Sequence, residues 1–207
     1  MPLHFVILLI ALTICNLSTA EAAKTPSAIE EATDRAALME LTRPGPEHAR
    51  LKAFSGKWKV KLSIGSSNNT PPLQGVANAY MTMEDRFLWI GYQAKYQTRA
   101  FKGSFTIGFD RRHQHYVLIA MDTSGTYFVT SKGEADPDSG LIKLYGQDDD
   151  PYMESLGYTK EFAHVLDLTN PDHFSILVIF VDTRTPERRE STGMTFEFTR
   201  RSTTEKN

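Results

Sequence analysis

The chain has 207 residues, of which 41% are hydrophobic and 11% aromatic, and its 23 Lys and Arg nearly balance 25 Asp and Glu, for a formal net charge of −2. This hydrophobic fraction is too high, and this charge too small, for a disordered chain. The near-neutral charge also argues against nucleic acid or an anionic membrane surface as a partner. We therefore expect one compact domain with no nucleic-acid partner.

The first segment of the chain has the features of a secretory signal peptide. An apolar run from Phe5 to Leu17 is followed by small residues up to Ala22, in patterns of the kind that signal peptidase cuts. The run is too short to span a bilayer comfortably. We predict that residues 1–20 are a signal peptide cleaved near 20–23, which gives a secreted or periplasmic protein with no stable membrane anchor. The single cysteine, Cys15, leaves with this segment, so we expect no disulfide in the mature chain.

Helical segments are expected before the first strand. Residues 24–43 are rich in Ala and Glu and predict a helical or linker segment, which a Pro-Gly-Pro sequence then interrupts. Pro46 can begin a second, short helix because the first helical turn needs no N–H donor, and Gly56 suits the end of that helix. We predict that this short helix caps the domain formed by residues 44–201, and that residues 202–207 are a disordered tail.

After Gly56 the hydrophobic pattern acquires a period of two, which is typical of strands with one buried face. Trp58, Val60 and Leu62 alternate with lysines, and this is the clearest strand of the chain. We predict strands over residues 57–64, 73–83, 86–96, 104–110, 115–121, 126–132, 141–147, 159–168, 173–182 and 193–200. The short connections between these strands make most neighbours antiparallel.

An open sheet of this many strands would expose two edges, whereas closing it into a barrel removes both. We therefore predict an all-β fold. It is an antiparallel meander barrel of about ten strands, with a short N-terminal capping helix and a preceding helix.

One short motif resembles the start of a known barrel. Gly56 and Trp58 are similar to the G-x-W signature of lipocalins and other calycins. In those barrels an Arg from the last strand lies across the Trp ring, and the matching residue here is Arg200 or Arg201. The resemblance implies that these residues are structural and join the two ends of the barrel, through a contact of about 1 kcal/mol.

A wider set of motifs resembles domain-of-unknown-function family 1579, a calycin-like, lipocalin-related family of β-barrels. The matching stretches are residues 38–48, 101–105, 108–110, 121–125 and 194–201. Together they span residues 38–201. The resemblance implies the barrel fold, and it implies no particular activity because the family has none that is settled.

A barrel of this size leaves room for a ligand inside. We predict that a cavity open at one end binds a small, largely apolar molecule, in a monomer or homodimer. The candidate lining residues are Trp89, Tyr92, Phe105, Tyr116, Tyr127, Phe162 and His164. Aromatic residues at strand spacing fit a packed core equally well, and this is the alternative interpretation.

Two histidines suggest alternative functions. His48 is the candidate catalytic residue of an enzyme that acts on a small organic molecule at the barrel mouth, or else it fixes the capping helix by a hydrogen bond. His164 shares a strand face with Phe162 and Leu166, so it is expected to point inward. Because some calycin barrels hold haem through one histidine, His164 is the candidate for a haem-binding alternative. A hydrogen-bonded core histidine has the same pattern.

No motif indicates a particular reaction or metal. The sequence lacks a Gly-x-Ser-x-Gly elbow, a phosphate loop, a His-Glu-x-x-His motif and a dinucleotide fingerprint. The acidic run 148–150 lacks the spacing of a calcium loop. We predict no metal site and, apart from the haem alternative, no cofactor. Enzymatic activity stays open, with a binding protein favoured.

Overall fold

The computed structural model describes residues 28–65, 71–96, 99–184 and 186–202. The predicted signal peptide, with Cys15, and residues 203–207 of the predicted tail lie outside the described residues. The chain divides into two compact units, Met1–Ala37 and Leu38–Asn207, and the second contains all the strands described below. No helix within the described part of the chain has the length and apolar character needed to cross a membrane.

The described residues form helices first and then strands, with one short helix between two of the later strands. The helices are α1 (Ala28–Leu41), α2 (Pro46–Lys52) and α3 (Pro151–Ser155). The strands are β1 (Gly56–Ile64), β2 (Leu73–Thr82), β3 (Phe87–Tyr96), β4 (Arg99–Asp110), β5 (His115–Asp122), β6 (Val129–Ala135), β7 (Ile142–Asp148), β8 (Lys160–Asn170), β9 (His173–Asp182) and β10 (Arg189–Arg200).

The strands form one closed barrel in which each strand pairs with its neighbours in sequence. β1 completes the ring by pairing antiparallel with β10, from Trp58 opposite Arg200 to Ile64 opposite Met194. The other pairs are antiparallel as well. The predicted all-β, ten-stranded antiparallel meander barrel with a short N-terminal helix is therefore confirmed, and each of its strands pairs with a neighbour on both sides.

Alternation along each strand separates the inside of the barrel from the outside. In β1 the side chains of Trp58, Val60 and Leu62 are buried, whereas the lysines between them are exposed. The same alternation in the other strands fills the interior with apolar side chains. Burial of these side chains is the main favourable contribution to folding.

Helix α2 lies across one end of the barrel. Pro46 begins the helix, and Leu51 in its last turn is fully buried. Just after the helix, Phe54 packs edge-on against Phe174 of β9, with 5.4 Å between ring centroids. Arg50 extends from the helix to the carbonyl of Gly140 at 2.7 Å, between β6 and β7. The interior at this end is occupied by side chains.

Arg200 at the end of β10 binds the start of β1. Its guanidinium carbon lies 4.3 Å from the ring centroid of Trp58. Nη1 donates to the carbonyl of Ser55 at 3.0 Å, Nη2 donates to the carbonyl of Ala53 at 2.8 Å, and Nε lies 2.8 Å from the Asp172 carboxylate. Arg200, and not Arg201, is therefore the arginine that covers the indole.

Gly56 makes this contact sterically possible. Its φ is +146°, and a Cβ atom at this position would lie 2.7 Å from Nη1 of Arg200. A larger residue would be strained in its backbone and would push the guanidinium away from Trp58.

The structure corrects the predicted start of β6. The prediction began this strand at residue 126, but β6 begins at Val129. The carboxylate of Asp122 accepts a hydrogen bond from the backbone N–H of Ser124 at 2.7 Å, which turns the chain away from the ladder after β5. Tyr127 consequently lies in a loop rather than in a strand, with its ring over Gly125.

Three further differences concern element boundaries. β4 begins at Arg99 and β10 at Arg189, so both strands are longer than predicted. Helix α3 was not predicted. Asp150 caps it by accepting a hydrogen bond from the N–H of Tyr152 at 3.0 Å, and Pro151 occupies its first turn. An Asp-Pro pair is a favourable helix start, and this signal was present in the sequence.

We expect Arg200→Met to lower the free energy of unfolding by roughly 2–3 kcal/mol, because several carbonyls and the indole lose their cationic partner. Urea unfolding followed by circular dichroism measures this change. The matched control is Arg43→Met, which removes an arginine that is 70% exposed in the loop before α2 and should shift the unfolding midpoint far less. Equal midpoint shifts for the two variants would contradict the structural role of Arg200.

Candidate functional site

A cavity of about 230 Å³ lies in the end of the barrel opposite α2. Its inner wall is largely apolar and is formed by residues from strands around the barrel: Tyr92, Phe105, Ala120, Val129, Phe162, His164, Val178, Met194 and Phe196. Its mouth is bordered by Asp122, Tyr127, Asp148, Lys160 and Phe180. An apolar pocket with a few polar groups is the usual form of a small-molecule site.

Three aromatic rings close the inner end of this cavity. Tyr92 and Phe105 stack with 5.4 Å between ring centroids. Phe196 meets each of them edge-on at 5.0 Å. Beyond Phe196, Phe198 and Phe174 stack at 4.2 Å and continue the packing toward α2. The aromatic cluster therefore separates a hollow half of the barrel from a filled half.

His164 is a buried titratable residue of the cavity wall. Its side chain is 2% exposed, and Nδ1 lies 3.0 Å from Oγ of Ser131 on β6. Phe162, two residues earlier on β8, meets the imidazole edge-on at 5.3 Å. Burial lowers the pKa of His164 to about 4, so the ring is neutral at pH 7.

The cavity mouth carries a partly buried ion pair. Nζ of Lys160 lies 2.9 Å from Oδ2 of Asp148 and 3.8 Å from Oδ2 of Asp150. Burial opposes the charge of Lys160, but the hydrogen bond to Asp148 and the charge of that carboxylate outweigh burial and raise the pKa of Lys160. The acidic run at 148–150 thus pairs with Lys160 and caps α3.

The structure places five of the seven predicted lining residues around the cavity. Tyr92, Phe105, Phe162 and His164 lie in its wall, and Tyr127 lies at its mouth with 57% of its side chain exposed. These five residues therefore lie around one cavity, and ligand binding itself stays a prediction.

Trp89 does not line the cavity. Trp89 lies three positions before Tyr92 in β3, and residues an odd number of positions apart point to opposite faces of a strand. The Trp89 ring lies on the outside of the barrel, over Gly91 and 4.9 Å from the ring of Tyr80, which is half exposed. The prediction for Trp89 was wrong because a side chain can share the inner face with Tyr92 only if it lies an even number of positions away along β3.

Tyr116 points inward but lies at the α2 end. Its ring meets Phe109 edge-on at 4.9 Å, and its hydroxyl hydrogen-bonds Arg50 of α2. Burial raises the pKa of Tyr116. The prediction was right about the face and wrong about the cavity, because the alternation along a strand does not show at which end of the barrel a residue lies.

His48 is buried at the α2 end, far along the barrel from the mouth. Its Nδ1 accepts a hydrogen bond from the N–H of Gly45 at 3.0 Å, and its ring also hydrogen-bonds the backbone of Phe109. Burial lowers the pKa of His48. These contacts join the start of α2 to β4, which favours the structural interpretation over the catalytic one.

The one acid that lines a groove together with this histidine, among the described residues, is already paired. Asp110 borders the same groove as His48, and its carboxylate binds Arg112 at 2.8 Å and His113 at 2.9 Å. The hydrogen bonds from Arg112 and His113 hold the pKa of Asp110 well below its usual range. The groove therefore offers His48 no free carboxyl partner among the described residues.

The sequence did not predict the mouth residues Lys160 and Asp148, or Ser131 as the partner of His164. Lys160 and Asp148 are far apart in sequence but adjacent in β7 and β8, where they face each other in the ladder. Ser131 follows the inward alternation of β6 and is buried between two exposed residues. A Lys and an Asp at strand ends carry no distinctive sequence signal.

A broader groove of about 990 Å³ runs over the outer face between β5 and β9. Lys132, Tyr145 and Glu161 lie along it, and an ion pair between Glu161 and Arg188 crosses it. It is open and charged, so it lacks the enclosed apolar wall of the cavity described above.

The described residues contain no group of three or more His, Cys, Asp or Glu side chains that could hold a metal ion.

The haem alternative for His164 depends on whether the cavity has room for a porphyrin. A cavity of about 150 Å³ is filled by benzene, and a porphyrin with four pyrrole rings is several times larger than benzene. The cavity of about 230 Å³ is therefore too small to enclose a whole haem.

Comparison with protein-family models matches residues 43–200 to the family described as protein of unknown function (DUF1579). The chain belongs to the DUF1579 family. The match confirms the family that the sequence motifs resembled. No curated protein matches this DUF1579 chain. Among solved structures, the crystal structure of Rv2717c from M. tuberculosis is similar, with a TM-score of 0.47 and 12% identity, covering 77% of this chain and 100% of that chain.

The motifs by which the DUF1579 family was recognised include the loop at the cavity mouth. The stretch around Asp122 supplies the turn after β5. Gly125, in the same stretch, lies under the ring of Tyr127. The loop thus positions one aromatic residue at the mouth.

The buried imidazole of the DUF1579 barrel predicts a pH dependence of stability. Burial lowers the pKa of His164 to about 4 in the folded chain, below the ordinary histidine value of 6.5, so the unfolded chain binds the proton more readily. Its contribution to stability is fully present above pH 6.5 and is lost as the pH falls toward 4. Between about pH 7 and pH 4, we expect wild type to lose on the order of 3 kcal/mol more stability than His164→Phe.

Urea unfolding at a series of pH values measures this difference. The comparison of the two proteins cancels the titration of the carboxylates and of His48, which both share. Parallel curves of unfolding free energy against pH would show that His164 is not buried as described.

Proposed function

We propose that this DUF1579 barrel binds a small, largely apolar, uncharged molecule in the cavity opposite α2, and that the protein is exported to the periplasm or the cell exterior. The observation that carries the binding proposal is the partly open, aromatic-lined cavity of about 230 Å³ inside the barrel. Packed barrels leave no such space, since native cores contain few voids larger than a water molecule.

The lining favours an apolar ligand. Phe105, Phe162 and Phe196 present ring surfaces to the cavity, and Val178 and Met194 add aliphatic surface. Apolar surface that moves from water into such a wall gains roughly 25 cal/mol per Å² before the costs of association. The polar groups of the cavity are few, which is the pattern that fixes a ligand's orientation.

The mouth disfavours an anionic ligand, and the apolar wall behind it disfavours any charged group. The charge of Lys160 is balanced by Asp148 at 2.9 Å, and Asp150 lies at 3.8 Å. Asp122 also borders the mouth and adds a further negative charge. An anionic ligand would therefore have to break an existing ion pair to gain a partner, and a charge moved deeper would lose its hydration.

Export is supported by the apolar segment from Phe5 to Leu17 and the small residues that follow it. A barrel outside the cytoplasm also meets apolar molecules before they enter the cell. The binding proposal does not depend on export.

Neighbouring residues of β5 provide a test of binding. Ala120 is half-buried and lines the cavity, whereas Ile119 points outward and is 37% exposed. We expect Ala120→Trp to fill the cavity and weaken binding of the lipophilic two-ring dye 1-aminonaphthalene at least about tenfold, a loss of about 1.4 kcal/mol. Ile119→Trp should bind the dye as wild type does.

Dye fluorescence measures the affinity, and thermal melting shows that each variant is folded. Native mass spectrometry of gently purified protein checks for a co-purified molecule. A folded wild-type protein that takes up neither dye nor any co-purified molecule would defeat the binding proposal.

A second test addresses export. In cells with a general secretory pathway, we expect the full chain to lose its first 20–23 residues and to accumulate outside the cytoplasm. Intact mass and N-terminal sequencing give the cleavage site. The double substitution Leu8→Arg, Leu9→Arg places two charges in the apolar segment and should keep the full-length chain in the cytoplasm. Recovery of uncleaved wild type in the cytoplasm would contradict export.

A further inference from the structure

The imidazole of His164 has one unused ring nitrogen. The residue is 2% exposed, and the hydrogen bond between Nδ1 and Oγ of Ser131 is the one that the ring makes within the described residues. Buried polar atoms almost always have a hydrogen-bond partner, so Nε2 is an exception that requires an explanation. The nearest ring, that of Phe162, contacts the imidazole edge-on and offers no conventional partner.

The unused nitrogen belongs to the cavity side of the ring. His164 lines the cavity and Ser131 does not. Because Nδ1 faces Ser131, the edge that carries Nε2 is the one available to the cavity. A bound molecule is therefore the partner that the fold leaves for Nε2.

The tautomer of the ring limits what this partner can be. If Ser131 donates to Nδ1, Nε2 carries the proton and donates to the cavity. If Nδ1 donates to Ser131, Nε2 is a bare acceptor. A hydroxyl group can both accept and donate, so it pairs with either form. A ketone or an ether satisfies only the first.

Charge and size restrict the molecule further. The wall around His164 is apolar, and the single cation among the residues that line the cavity, Lys160, is held by Asp148. A carboxylate placed against Nε2 would be buried without a counter-ion. The volume of about 230 Å³ is half as large again as the roughly 150 Å³ that accommodates benzene, which corresponds to two fused rings rather than one.

We propose that the cavity selects an uncharged aromatic molecule of about two fused rings whose hydroxyl hydrogen-bonds Nε2 of His164. This rests on the proposed function, since it names the ligand class of the same cavity. The ring system packs against Phe105 and Phe196, and the far edge of the molecule reaches the mouth.

Three probes of the same shape test the proposal: naphthalene, 2-naphthol and 2-naphthoate. Isothermal titration of the full barrel with each probe gives its affinity. We expect 2-naphthol to bind about tenfold more tightly than naphthalene, which is the size of effect of one buried hydrogen bond. We expect 2-naphthoate to bind more weakly than naphthalene.

Two variants show whether His164 is the source of the preference. His164→Phe keeps a planar ring but removes Nε2, so it should bind naphthalene and lose the preference for 2-naphthol. The matched control is Tyr80→Phe, which removes a hydroxyl from the half-exposed outer face of the barrel and should retain the preference. Retention of the preference in His164→Phe would overturn the assignment to His164.

A measurement on wild type covers the case in which His164→Phe does not fold. The ¹⁵N shift of a buried imidazole Nε2 should change on addition of 2-naphthol and not on addition of naphthalene. Naphthalene and 2-naphthol binding with equal affinity and without this change would overturn the hydroxyl proposal alone. Failure of all three probes to bind would overturn the proposed function as well.

Discussion

The closure of the barrel between β1 and β10 is the constraint on which the rest of the structure depends. The two strands come from opposite ends of the domain, and their ladder begins where Trp58 lies opposite Arg200. The guanidinium covers the indole at 4.3 Å and also bonds the chain that leads from α2 into β1. Without this closure the sheet would open and the cavity would have no continuous wall.

Aromatic packing decides which half of the closed barrel is hollow. Contacts run from Trp58 through Phe174 and Phe198 to Phe196, and they end on Phe105 and Tyr92. Helix α2 seals the filled end, where His48 joins Gly45 to the backbone of Phe109. The remaining space faces the mouth. Its shape follows from where the large side chains stop, so a ligand that enters from the mouth meets an aromatic floor.

The sequence predicted the fold better than it predicted the site. Alternation in β1 showed one buried face, and the short turns showed antiparallel neighbours, which together favoured a closed meander. The cavity depends on the height of each residue along the barrel axis, which only the register supplies. Tyr116 faces inward at the wrong end for this reason, whereas the outward position of Trp89 could have been inferred from its odd separation from Tyr92. Lys160 and Asp148 become neighbours only through the ladder of β7 with β8.

The most direct measurement is the location of a bound apolar molecule inside the barrel. Isotope-edited nuclear Overhauser effects from the ring protons of bound naphthalene report which methyl groups lie within a few ångströms. The cavity predicts contacts to the methyl groups of Val178 and Met194 and none to Leu51 or Leu168 at the α2 end. Contacts confined to the outer face of β5 to β9, or to the α2 end, would contradict a ligand site in the hollow half of the barrel.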